Sequence, residues 1–499
     1  MSPESEVAVL LQPRGLLHRF IRHRDLSSIV ERPERLRAVA IGIAAARAAL
    51  EVQRDRADPA LGVTDGLVDA ILKLRIDGIE STGGIAFHIL SANFSSNSLA
   101  SAAVRFIHGE PSEYLSKVLS WALNSEDVIR RGESEIPKGF SQGDLYLCPQ
   151  SIDALSGAVS AVFQAVDMVL GSKVTNKVGT GSSAEGCTIP VSSTSSAHDS
   201  PSADNAVLET AHPSLDEPQQ VPLPPSPTGT SAVGYSNVKR VFVCIRPPGH
   251  HCSDDTPSGF CFINNILIAA SHAHIRYGIK RAVILDIDLH HGNGTQAIAW
   301  SINAETAREE ESNVLTEEGR DLPGTGLKVF YGSLHDILSF PCEDGEPKAT
   351  QAASTILRGA HGQYIENVHL ESYTDEADFF LRLYPSYLNT LLGGAREFLE
   401  ATQATSEDTM VYISAGFDAS LHEHPYMSRH NRNVPTAFYS RFAVDVRAFA
   451  EECCNGRIVA VLEGGYSDRA LISGSGAFMQ GLAVDSAQQL ATDWWNVIA

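Results

Sequence analysis

The chain has 499 residues, 43% of them hydrophobic, enough for a sizeable core and compatible with about one to three domains. A formal net charge of −22 excludes non-specific nucleic-acid binding, which needs Lys and Arg to neutralise phosphates; it suits solubility or the attraction of basic peptides and polyamines. Eight cysteines with no CxxC pair and no regular spacing exclude a disulfide framework and fit a reducing compartment.

In chain order, the opening MSPESEVAVLLQPRGLL has no basic stretch followed by an apolar one, so it does not read as a secretory signal, and VAVLL (Val7 to Leu11) reads as a strand. No apolar run approaches the ~18 residues of a membrane span. These features predict a cytoplasmic or nuclear protein with no membrane partner. Ser151 to Leu170 reads as a helix. From Ser172 to Ser236 the composition turns to Ser, Thr, Pro, Asp and Glu, with too little apolar area to offset the entropy of ordering. This stretch is predicted to be a disordered insertion separating residues 1–171 from 237–499. Further strands are expected at Arg240 to Ile245, Arg281 to Ile287, Lys328 to Ser333, Thr409 to Gly416 and Arg457 to Gly465, with a helix at Thr436 to Cys454. A second, acidic insertion at about 303–326 reads as a solvated helix extension and loop. Strands alternating with helices predict an α/β fold with a mostly parallel central sheet covered on both faces. The polar motifs all follow strands and therefore share one edge, whereas the insertion at 172–236, a helix-to-strand connection, is expected at the other.

The stretch VILDIDLHHGNGTQ sets Asp286, Asp288 and His290 at the carboxyl end of a buried strand. Two carboxylates and an imidazole there repel or desolvate one another unless a cation or a hydrogen-bond partner satisfies them, and a divalent metal is the economical solution. Any one of these residues alone is more often a helix cap or a solvated loop residue; the cluster is what favours chemistry. RPPGHHCSDDTPSGFCF adds Pro247 and Pro248 to stiffen a turn, and Gly249 to let the backbone approach a site before His250 and His251. SAGFDAS places Asp418 just beyond a strand, and VLEGGYSD places Tyr466 after two glycines. SLHEHPYMSRHNRNVP carries His422, His424 and His430, which read as a flexible rim rather than as a second metal site.

RPPGHHCSDDTPSGFCFINN, DIDLHHGNGTQ, SAGFDAS and LEGGYS, together with ERPERLRAV (Glu31 to Val39), resemble in order the motifs of the zinc-dependent histone deacetylases, a family of the arginase/deacetylase superfamily with a three-layer α/β fold. Asn293, where class I enzymes carry Asp, and SAGFDA resemble class II-like members, and the Ser/Pro insertion is similar to the fungal HOS-type branch. The resemblance implies Zn2+ held by Asp288, His290 and Asp418, with a place left for water and the substrate carbonyl. It implies a tandem pair in which Asp286 orients His250 and Asn293 faces His251, His251 doing the acid and base work with His250 as electrostatic partner. Tyr466 is then the donor to the oxyanion. Phe260 and Phe340 would wall the lysine channel, Gly259 would leave room for backbone contact, and Asp144 would hold the substrate backbone at the rim. Ser333 and Leu334, with Asp286 nearby, resemble ligands of a structural K+. The oxygen-rich Asp-His-Asp set also suits Fe2+.

The activity implied is hydrolysis of N6-acetyl-lysine in proteins, histone tails first among them, with no direct nucleic-acid contact and with a homo-oligomer or a corepressor-type complex as the assembly. Two other readings stay open. An acetylpolyamine amidohydrolase uses the same site on a small cation. A non-catalytic acetyl-lysine-binding scaffold is the other, against which the intact ligand set and Tyr466 argue.

Overall fold

Nine strands among the described residues form one sheet: β1 (Val7–Leu11), β2 (His88–Ser91), β3 (Arg240–Cys244), β4 (Arg281–Asp286), β5 (Lys328–His335), β6 (Ile356–Arg358), β7 (Tyr364–His369), β8 (Thr409–Ala415) and β9 (Ile458–Leu462). In this computed structural model the residues described are 6–57, 86–110, 113–171, 237–314 and 326–490. The strand order is β2-β1-β3-β9-β8-β4-β5-β7-β6, parallel throughout except for the β6–β7 pair. β1 pairs with β3 from Val7 beside Arg240 to Leu11 beside Cys244, so the stretches before and after the Ser/Pro insertion build the same sheet. The insertion, residues 172–236, with the disorder predicted for it, lies outside the described residues.

Side chains alternate across the sheet because a strand's period is two. Val283 and Leu285 enter one apolar layer with residues of the helices Glu34–Ala57, Tyr384–Ala401, Ala437–Cys454 and Asp468–Ala483. Ala282 and Ile284 enter the other, with residues of Ala102–His108, Tyr114–Arg130, Ser151–Leu170, Asn265–Tyr277 and the start of Asn293–Val314. Burial on both faces explains the unbroken apolar runs of the central strands, each large side chain contributing about 1.5–3 kcal/mol. The result is the expected three-layer α/β arrangement.

All six strands expected from the sequence are present, and β2, β6 and β7 are additions. β2 and β6 are the two edge strands, where half-buried or exposed residues such as Ile356 and Ser91 carry no continuous apolar signal, and β7 lies one strand in from β6. The acidic stretch begins inside the helix Asn293–Val314, and its remainder up to residue 325 lies outside the described residues. One expectation needs correcting: helix Ser151–Leu170 is long and apolar enough to cross a membrane by length and composition. Its apolarity has another cause here, because fourteen of its residues, including Leu155, Val159, Val162 and Val166, are buried in the second layer.

The four strands that carry the polar motifs, β3, β9, β8 and β4, are consecutive in the sheet. Their parallel direction brings all four carboxyl ends to one edge, so residues far apart in sequence converge there.

Candidate active site

β4 delivers Asp286, Asp288 and His290, and β8 delivers Asp418. His290 Nδ1 lies 3.1 Å from Asp288 Oδ1 and 3.0 Å from Asp418 Oδ2, and one ligand atom from each of the three residues falls within 4.8 Å of the others. Backbone amides anchor both carboxylates: Gly464 donates to Asp288 Oδ2 at 2.7 Å and Leu289 to Asp418 Oδ1 at 2.9 Å. Both acids are fully buried. Burial works against the Asp288 carboxylate, but His250 and His290 outweigh it and hold its pKa below the usual range. Burial and the neighbouring Asp288 charge push Asp418 up. Two buried carboxylates that oppose each other's charge around an imidazole are a donor set for a divalent cation.

The surrounding backbone is shaped to the set. A Cβ on Gly464 would stand 2.2 Å from Asp418 Oδ2 and 2.5 Å from Asp288 Oδ2, and one on Gly416 would stand 2.0 Å from Asp288 Oδ2. Gly464→Ala is therefore expected to displace both carboxylates and weaken metal binding by about 10–100-fold, the range seen when the support of a metal ligand is lost. Competition against a fluorescent chelator reads this directly, with circular dichroism to verify the fold; unchanged affinity would remove Gly464 from the cradle.

β3 runs into the tandem histidines, whose rings are 4.0 Å apart. His250 Nδ1 faces Asp286 Oδ2 at 3.1 Å, and its Nε2 lies 3.7 Å from Asp288 Oδ1. Burial disfavours its charged form, but Asp288 and Asp286 prevail and raise its pKa to about 10. His251 Nδ1 faces the amide oxygen of Asn293 at 2.8 Å. Burial, then the charges of His250 and His290, drive its pKa well below that of a free imidazole. The two rings are thus pushed in opposite directions, His250 toward its charged form and His251 toward its neutral one, and the Asn293 contact engages Nδ1 of His251 and leaves its Nε2 to face the cavity.

A cavity of about 300 Å³ opens above these residues, its walls including Phe260, Phe340, Tyr466 and Asp144 and its floor His251 and His290. Phe340 meets the His251 ring edge-on at 4.9 Å, and Phe260 lies 5.7 Å from Tyr466. Asp144 is half-buried at the mouth, its Oδ2 accepting from Ser141 Oγ at 2.8 Å. Gly259 lines the same cavity and also packs against a histidine. Its φ is +48°, and a Cβ there would stand 2.3 Å from His251 Cδ2, so the glycine lets the backbone pack against the histidine ring. Ser333 lies beside Asp286 in the β4–β5 register, followed by Leu334. His422, His424 and His430 do not converge: His424 stacks on Tyr426 and His430 Nδ1 pairs with Asp336 Oδ2 at 2.7 Å.

Several residues essential to this arrangement escaped the sequence reading. Glu463 accepts the amides of Gly249 at 2.7 Å and His250 at 3.2 Å, which fixes the turn before the tandem histidines; burial raises its carboxyl to about 7. Tyr331 donates to Asp286 Oδ2 at 3.1 Å. Beneath the site, fully buried Glu31 accepts from Arg246 Nη2 at 2.6 Å, Arg35 Nη1 at 2.8 Å and the Tyr146 hydroxyl at 2.7 Å. Arg35 in turn donates to the carbonyls of Glu463 and Gly465, and its guanidinium carbon lies 4.9 Å from the centre of the Tyr466 ring. The only signal for this network in the sequence was the charged run ERPER ahead of a helix, with Arg246 opening the RPPGHH turn.

Residues 75–482 match the family model described as the histone deacetylase domain. The chain is 32% identical over 493 residues to histone deacetylase HOS3 of Saccharomyces cerevisiae, covering 96% of this chain and 57% of that protein. It is 31% identical over 232 residues to the chloroplastic histone deacetylase 14 of Arabidopsis thaliana, covering 46% of this chain and 44% of the relative. The chain thus spans about half the length of these relatives. The crystal structure of the HDA15 HD domain superimposes with a TM-score of 0.54 at 20% identity, over 97% of this chain and 90% of the other, which establishes a shared fold.

Proposed function

Because the chain belongs to the histone deacetylase family, we propose that it hydrolyses N6-acetyl-lysine in proteins, releasing acetate and the free lysine amine. The observation that carries this reading is the convergence of the tandem histidines His250 and His251 and of Tyr466 on the Asp288, His290 and Asp418 set at the base of an aromatic-walled pocket. Histone tails are the first substrates to test and the nucleus the first compartment, with the cytoplasm as the second. A net charge of −22 suits a basic peptide partner.

The lysine methylenes would run between the rings of Phe260 and Phe340, with Asp144 at the mouth within reach of the peptide backbone. Asp288, His290 and Asp418 would hold Zn2+, or Fe2+ given the oxygen-rich donors, and a divalent cation there supplies Lewis acidity to the acetyl carbonyl and lowers the pKa of water. His251 Nε2 takes the proton from the attacking water. His250, kept charged by Asp286, favours the negative charge that develops nearby. Tyr466 donates its hydroxyl to the carbonyl oxygen as it becomes an oxyanion, and His251 then returns the proton to the departing amine nitrogen. A monovalent cation beside Asp286, Ser333 and Leu334 belongs to the same proposal, as does assembly into a homo-oligomer or a corepressor-type complex.

The decisive experiment assays acetate release from an acetyl-lysine peptide and from acetylspermidine side by side, with metal content determined on the same samples. Turnover of the peptide in proportion to bound metal is the expected result. Preference for acetylspermidine would make the protein a polyamine amidohydrolase, and tight peptide binding without release would make it a scaffold.

The ends of the Ser/Pro insertion support a further expectation. It connects the last turn of helix Ser151–Leu170 to the start of β3, whereas the catalytic residues follow the carboxyl ends of the strands. Replacing residues 172–236 with a short Gly/Ser linker should therefore leave kcat/KM within about threefold, since loop-closure cost grows only with the logarithm of length. A hundredfold loss in a folded protein would mean that the segment acts at the pocket.

A further inference from the structure

Two loops meet behind Tyr466. One follows β9 and leads through Tyr466 into helix Asp468–Ala483; the other follows Asp418 and carries Tyr426, Met427 and Arg429 to the pocket mouth. Glu423 joins them. It is only 7% exposed, its Oε2 accepting the Tyr466 amide at 2.8 Å and its Oε1 the Ser467 amide at 2.8 Å. Oε1 also accepts the His424 amide at 2.7 Å, which fixes the carboxylate within its own loop. Ser467 Oγ adds a second tie, donating to the His422 carbonyl at 2.7 Å while capping the helix at the Ala470 amide, 3.0 Å away.

The chemistry suits a carboxylate in this place. Helix Asp468–Ala483 has 16 residues, and the positive end of its dipole faces Glu423. Charge-assisted bonds to backbone amides are shorter and stronger than neutral ones. On the other side of the strand-to-helix turn, Arg35 holds the carbonyls of Glu463 and Gly465, and Arg32 Nη2 lies 3.4 Å from that of Tyr466. The backbone that aims the tyrosine is therefore gripped by its carbonyls from one side and by its amides from the other. Burial raises the Glu423 carboxyl to about 7, while the donated amides of Tyr466 and His424 pull the other way.

We propose that Glu423 is a positioning residue for deacetylation: by clamping the amides of Tyr466 and Ser467 it fixes the tyrosine hydroxyl over the substrate carbonyl and ties that position to the loop lining the pocket mouth. The proposal rests on the reading of Tyr466 as oxyanion donor. Glu423 itself touches no reacting atom. Its effect comes through geometry, where a misplacement of about 1 Å can cost on the order of a hundredfold in rate.

Glu423→Gln tests this, because the amide keeps the size but turns an NH2 donor toward a backbone N–H. In the metal-loaded enzyme kcat on an acetyl-lysine peptide should fall about tenfold or more with KM within about twofold, while metal content and the circular dichroism spectrum of the folded protein at the assay temperature stay unchanged. In a Tyr466→Phe background the same substitution should cost less than about twofold, since the group it positions is gone. An unchanged kcat, or a loss of equal size in both backgrounds, overturns the proposal. If Glu423→Gln fails to fold, Glu423→Asp, which keeps both acceptor oxygens on a shorter stem, is assayed in the two backgrounds under the same criterion. Hydrogen exchange separates this proposal from the activity it rests on: the amides of Tyr466 and Ser467 should exchange faster in Glu423→Gln whatever the substrate. Faster exchange in a protein whose wild type does not act on acetyl-lysine would sink the deacetylase reading and support the clamp, and unchanged exchange would sink the clamp.

Discussion

Asp418→Ala is expected to abolish metal binding and hydrolysis together. The two remaining ligands, Asp288 and His290, sit side by side on the loop after β4, so no side chain is left to close the site from the β8 side. The loss should exceed the about hundredfold that removing a supporting partner of a metal ligand costs. The substitution also strips the Leu289 amide of its acceptor, so Asp418→Asn, which keeps an oxygen for that amide, serves as the companion variant. Metal content measured by mass spectrometry should fall in step with acetate release in both. Full turnover of either variant in a metal-replete assay would remove Asp418 from the ligand set.

The second large effect is expected from Tyr466→Phe. The ring is buried, 5.7 Å from Phe260 and stacked under the Arg35 guanidinium, so the fold and the metal content should not change. Only the hydroxyl is lost, and an oxyanion donor is needed more in the transition state than in the ground state. A drop in kcat of about 10²–10³ with little change in KM is the corresponding signature. An unchanged kcat would mean that another group serves the oxyanion.

What the sequence revealed and what it hid divide along one physical line. Asp286, Asp288 and His290 were visible because three ionisable residues crowd the end of one buried strand, a conflict that a short window displays in full. The order of motifs placed Asp418, His250, His251 and Tyr466 around them by family resemblance. Glu463 and Glu423 stayed hidden because their partners are backbone amides up to 214 positions away, and a carboxylate that accepts from amides leaves no pattern in side-chain spacing. Gly259 was expected in the pocket wall, where it lies, but its close packing against the His251 ring was not legible. The central strands were legible from their apolar runs. β7 was not, because YIENVH buries Glu366 and Asn367, polar residues that break the run and bond to Arg358 on the neighbouring strand and to Gln296 and the Ala352 and Thr355 carbonyls.

The recognisable domain begins at residue 75, yet β1 lies between β2 and β3 in the sheet, and the carboxylate that neutralises Arg246 is Glu31. A fragment cut at that boundary would place β2 and β3 on either side of a missing strand. It would also leave a guanidinium sealed in the interior without its counter-charge, a defect of about 3–5 kcal/mol. The stretch that builds this sheet is therefore larger than the one the family model matches, in keeping with the alignment to HOS3 over 96% of the chain, and an excised form has to start ahead of Val7.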